Sequence, residues 1–177
     1  MARGVTPGVE DAAAAASVSR TTAYRYFPSQ RALLVAAHPE TGARSLLPAD
    51  PPEEVEARLA AVVKQFARLI LNTESQQRTM LRLSLESSDA ASRTALPLRQ
   101  GRAIAWISEA LAPLREQLTE PELHRLVLAI RSAIGIEALV WLTDVAGLSR
   151  EDAAELMAWS AQALLHSALT SPPPSVG

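Results

Sequence analysis

Apolar side chains recur every three or four residues through most of this chain, the period of a helix that buries one face. Between Glu53 and Asn72 the repeat is carried by Val55, Leu59, Val62, Val63, Phe66, Leu69 and Ile70, and between Ser75 and Glu86 by Met80, Leu81, Leu83 and Leu85. After a polar break over residues 87–94, Ile104, Ile107, Leu111, Leu114 and Leu118 line one face of a further helix from Pro97 to Leu118. Thr119-Glu-Pro-Glu then combines a cap, a proline in the first turn and carboxylates that complement the helix dipole. The helix it opens is expected to reach Ala146 and stop at Gly147, and Ser149-Arg-Glu-Asp opens a last one that ends before Pro172. No period-two alternation, internal repeat or glycine-rich loop accompanies them, so the predicted class is all-α.

The N-terminal part is patterned on a shorter scale. Thr6-Pro7 reads as a helix start, since the hydroxyl can accept from an orphan amide and proline at the first helical position loses nothing. That helix should run to Ala16. Ser19 caps a second, Arg20 to Phe27, and Ser29 a third through Leu33, Leu34 and Ala37. From Pro39 to Pro52 the text turns to Pro, Gly, Ser and Asp, which is linker chemistry. The expected organisation is a module over 1–45, a helical domain over 46–171 and a disordered tail over 172–177.

Charge follows the same division. Residues 1–38 carry Arg3, Arg20, Arg25 and Arg31 against Glu10 and Asp11, a net +2, which leaves −4 for the rest of a chain whose total is −2. A basic head and an acidic body are implied. Lys64 is the single lysine. With no cysteine there is no disulfide framework, thiolate nucleophile or cysteine-ligated metal. No run is expected to meet the length and apolarity of a membrane span, and the N-terminus lacks a signal-peptide layout, so a cytoplasmic protein without a membrane partner is expected.

Two short helices joined by a tight turn, the second capped by serine, are what a helix-turn-helix needs to bring the start of one helix into the major groove of double-stranded DNA. On that reading Ser19, Arg20, Thr21 and Thr22 lead the recognition helix with hydroxyl and guanidinium donors. Tyr24 reaches a phosphate, Phe27 turns inward as an anchor, and the helix starts at Thr6 and Ser29 present amides to phosphate oxygens. Arg25, Tyr26 and Gln30 complete the candidate surface. In the competing reading Tyr24, Tyr26 and Phe27 are the core of a small bundle and the arginines an ordinary solvated face. A catalytic reading is disfavoured: Glu120, His124, Glu137, Asp144 and His166 lack the repeated Glu-x-x-His spacing of a di-iron bundle, and no nucleophile elbow or phosphate loop occurs. No catalytic residue, metal or cofactor is therefore assigned.

The run SVSRTTAYRYFPSQRALL, residues 17–34, resembles the DNA-binding signature of the TetR family of transcriptional regulators. Val18, Ser19, Thr22, Tyr24, Tyr26, Phe27, Ser29, Ala32 and Leu33 fall on matching positions, and residues 140–165 resemble the last two helices of such regulators. The resemblance implies a ligand-responsive repressor that binds a palindromic operator as a homodimer, through a helix-turn-helix module followed by a dimerising helical bundle around an effector pocket. An effector in the bundle would shift the helix that begins at Ser29 and so change the spacing of the two recognition helices. The chain departs from the pattern in places. Only MARGV precedes Thr6 where family members have a further helix, Ala12 and Ala23 stand where larger aliphatic residues are usual, Ser17 replaces the turn glycine and Gln30 replaces a lysine. The alternative expectation is thus a ligand-binding and dimerisation module that has lost autonomous DNA binding.

In the body, Phe66, Met80, Trp106 and Trp141 are the candidate lining of an effector pocket, whose walls would suit an apolar or aromatic ligand. Ala133 and Ala138 on one helix and Ala154, Ala158 and Ala161 on the last would let helices approach closely in a dimer seam, and two-fold symmetry is what a palindrome with half-sites about one turn apart requires.

Overall fold

Ser19 and Ser29 each turn a hydroxyl onto a backbone amide three residues on, those of Thr22 and Ala32, both at 3.1 Å. They thereby start the helices α2, Arg20–Tyr26, and α3, Gln30–Ala36. α1 precedes them over Val9–Ala15 in this computed structural model, which describes residues 7–37, 43–86, 101–171 and 173. α1 starts later than Thr6-Pro7 predicts, because Gly8 takes the extended cap conformation and its amide donates to the Asp11 carboxylate at 2.8 Å. Thr6 itself, the polar break and the tail beyond Pro173 lie outside the described residues. Between α1 and α2, Ser17 sits at φ 56°. A left-handed residue with a Cβ costs about 1–2 kcal/mol.

Contacts divide the chain into two units, Met1–Gly42 with Thr73–Gln100, and Ala43–Asn72 with Gly101–Gly177. The first holds more than the short helices: α5, Glu74–Glu86, packs on α3 and groups with them. Its buried residues include Met80 and Gln77. The small core that joins α1 to α2 consists of Val9, Ala13 and Ala23, with Phe27 and Leu33 half-buried against it. At about 0.8 kcal/mol per buried methylene, two alanines and a valine contribute little.

The second unit is a helical bundle. α4, Val55–Asn72, and α6, Arg102–Ala110, lie against each other; α7, Glu120–Ala133, packs on α6; and α9, Arg150–Thr170, packs on both α4 and α7. Leu59, Phe66 and Ile70 of α4, Trp106 and Ile107 of α6, Leu126 and Ile130 of α7, and Met157 and Leu165 of α9 are all buried. The Phe66 and Trp106 rings pack edge to face with centroids 6.0 Å apart.

Two helices end earlier than their apolar periodicity predicts. The run to Leu118 stops at Ala110 and tightens into a 3-10 turn, Ala112–Glu116, around Pro113, which cannot supply a helical amide. Arg58 of α4 satisfies that helix end, donating to the carbonyls of Ala110 (3.0 Å) and Glu109 (3.1 Å) and to that of Pro52 (3.2 Å). The run from Glu120 breaks at Ile134, which is extended, and Gly135, at φ 122° and ψ −177°. A short α8, Ile136–Val140, and a π turn, Trp141–Val145, complete it before Gly147. By length and composition alone the 26-residue stretch Glu120–Val145, which holds an 18-residue window of mean hydropathy 1.8, is long and apolar enough to cross a membrane, contrary to the expectation that none would be. Here it is broken at Gly135 and lays Leu123, Leu126, Val127 and Ile130 into the bundle core. At the start of α7 the hydroxyl and amide of Thr119 both donate to the Glu122 carboxylate, at 2.7 and 2.8 Å, and hold its pKa below the ordinary carboxylate value.

Candidate functional site

On α2 a single residue, Ala23, is buried, and the rest of the helix faces water or the module's edge. Tyr24 is 44% exposed and Tyr26 65%, so neither ring is core. Phe27, at the helix end, is the one aromatic side chain of the three that packs inward. Arg20, Thr21 and Arg25 are exposed beside the tyrosines. The Arg25 guanidinium lies 5.2 Å from the centre of the Tyr26 ring, a contact that draws the cation onto a π face.

Not every candidate donor is idle. Ser19 is occupied as the cap, and its hydroxyl also lies 2.8 Å from that of Thr22. Arg20 reaches back to Glu10 of α1 at 3.1 Å, an exposed pair of the kind that contributes about 0–1 kcal/mol. Ser29 caps α3. The Gln30 amide donates to the Pro7 carbonyl at 3.0 Å and ties the start of α3 to the entry of α1. Arg20, Thr21, Tyr24, Arg25 and Tyr26 therefore make up the exposed surface of α2, while Ser19, Ser29 and Gln30 also hold the module's shape. None of these secondary tasks follows from the spacing of the motif, since each depends on which distant residue folds alongside.

The candidate pocket residues are divided between the two units. Phe66 and Trp106 are spent on each other inside the bundle core, with the Arg131 guanidinium 5.8 Å from the Phe66 ring centre. Met80 is buried in the other unit, and Trp141 is 58% exposed on the π turn. The second unit instead carries a groove of about 880 Å³ between α4 and α9, floored by residues including Val63, Ala67 and Leu71 and walled by Ala154, Ala158 and Trp159. Two candidate seam residues, Ala154 and Ala158, thus line a groove, while Ala133 and Ala138 are half-buried on α7 and α8. Ala161 is completely buried in the chain's own core, so it cannot meet a second copy in this conformation. Trp159 also lines this groove and is not among the residues the sequence proposed for a pocket.

Among the described residues no group of three or more His, Cys, Asp or Glu side chains is placed to hold a metal ion. Comparison with known proteins finds no matching family model, no matching curated protein and no matching solved structure.

Proposed function

We infer that the chain is a DNA-binding transcriptional regulator of the TetR kind, a repressor that acts in the cytoplasm on a palindromic operator as a homodimer and answers to a small apolar or aromatic effector. The observation that supports this most directly is the exposure of Tyr24 and Tyr26 beside Arg20 and Arg25, on a helix whose one buried side chain is Ala23. A purely structural role for so aromatic a segment would bury those rings, because an exposed aromatic face forfeits the apolar contacts that make such residues worth having in a core. In contact with a duplex the same groups supply phenol and guanidinium donors to phosphates and base edges. The regulatory step follows from linkage: an effector changes operator affinity only by its differential affinity for the two arrangements of the recognition helices.

A second reading has its own support. The module core of Val9, Ala13 and Ala23 is thin, which favours a ligand-binding and dimerisation protein that does not hold DNA by itself. Selection of duplexes from a random pool, followed by a salt titration of the best one, separates the two. A regulator making phosphate contacts loses affinity linearly in log salt. Tyr24→Phe should weaken all sequences alike and Arg20→Ala should relax specificity. Recovery of no duplex, or binding insensitive to salt and to both substitutions, leaves the second reading standing.

A further inference from the structure

α4 presents two cations on successive turns, Lys64 and Arg68, both exposed. Among the described residues neither side chain makes an ion pair or hydrogen bond. They stand on a ridge between two grooves and line both, the one against α9 and a smaller one, about 630 Å³, beside Ser45–Pro48. The larger groove has an apolar floor, and along its α9 side Trp159 holds its indole 68% exposed. Arg150, Glu151 and Glu155 also line it from α9. Cations outnumber acids there, and the two acids stand on the wall opposite Lys64 and Arg68. An acidic group entering the groove is therefore drawn to the α4 rim.

We propose that the α4–α9 groove binds an amphiphilic carboxylate, with its aliphatic chain along Val63, Leu71 and Ala158 against the Trp159 indole and its carboxylate between Lys64 and Arg68. A concave, mostly apolar surface with a few convergent polar groups at one edge is the usual form of a small-molecule site. Guanidinium and ammonium groups one turn apart suit a two-oxygen anion, and charge-assisted hydrogen bonds are the stronger kind. A neutral amphiphile would use the floor and leave the cations unanswered. The proposal concerns this groove alone and holds whether or not α2 contacts DNA, which the titration below does not read.

Titration of the full-length protein carrying Trp141→Phe, followed by indole emission, tests it, because Trp106 is buried and Trp159 is then the exposed reporter. Decanoate, kept below its micellar range, should give a saturable blue shift. Octanoate should bind more weakly by about fourfold for each methylene removed. The double substitution Lys64→Gln with Arg68→Gln, confined to exposed side chains, should weaken decanoate by about tenfold or more and leave 1-decanol unchanged. No saturable shift overturns the proposal, as does decanoate affinity equal in the double variant, or 1-decanol binding as tightly as decanoate.

Discussion

Replacing Gly135 by alanine tests the break in the long apolar run with a change of sign. Gly135 sits at φ 122° and ψ −177°, in a region that is essentially closed to residues with a side chain, and holding one there costs about 1–3 kcal/mol. A Cβ built at this position would lie 2.4 Å from Arg131 Nη1. That guanidinium donates to the Ile134 carbonyl at 2.8 Å and pairs with Glu137 at 3.4 Å. Because the clashing atom is the end of a flexible side chain, it can swing aside and forfeit a hydrogen bond from a charged donor, worth about 1.5–3 kcal/mol. Gly135→Ala should therefore destabilise the protein by roughly 2.5–6 kcal/mol, a fall of about 2–4 °C in melting temperature for each kcal/mol in a chain of this size. If residues 120–146 formed one continuous helix, the same substitution would stabilise by about 0.5–1 kcal/mol, since glycine is the poorer residue in a helix interior. Urea unfolding followed by circular dichroism reads the sign. Repeating it in an Arg131→Ala background should recover the portion due to the displaced guanidinium. A neutral or stabilising result refutes the break.

Three further predictions follow from local geometry. Ser17→Gly should raise the thermal stability of the first unit by about 1 kcal/mol, because φ 56° is open to glycine without the penalty of a Cβ, and a drop on melting would place that turn elsewhere. Arg58→Ala should cost about 1.5–3 kcal/mol in a denaturant melt, the range for hydrogen bonds from a charged donor, because it uncaps the end of α6 and releases Pro52 together. The pKa of Glu122 is depressed in the fold, so its contribution to stability is present above the ordinary carboxylate pKa and is lost as pH falls through the folded value. The stability difference between the native chain and Glu122→Gln should accordingly stay level near neutrality and shrink at acid pH, and a difference that grew on acidification would contradict the Thr119 contacts.

The helix starts were legible because capping is a local matter. Ser19 and Ser149 each accept the amide three residues on, Ser29 does the same, and Thr119 closes a reciprocal pair with Glu122, all within one turn of the residue that signals it. The left-handed Ser17 was foreshadowed only through the resemblance, whose pattern has a turn glycine at that position. Interior breaks were another matter. Gly135 lies in a run where Ile130, Ile134 and Ala138 keep the four-residue spacing of a continuous helix, and the break depends on Arg131, Glu137 and the packing beneath them.

By itself the sequence determined an all-helical chain, the starts of the helices that open at Ser19, Ser29, Thr119 and Ser149, and a motif at residues 17–34 whose hydroxyl, guanidinium and aromatic groups suit a nucleic acid. Only the tertiary structure decided which of those groups face water. α9 shows why: Met157 and Leu165 are buried on one side of it while Leu156 and Trp159 are exposed on another, so its apolar residues surround the helix and no periodicity marks the core face. Likewise Tyr24, Tyr26 and Phe27 are alike in sequence, and the fold turns only the last inward, half-buried. Burial is set by the surfaces that neighbouring helices happen to cover, a property of pairs distant in the chain that spacing along one helix does not encode.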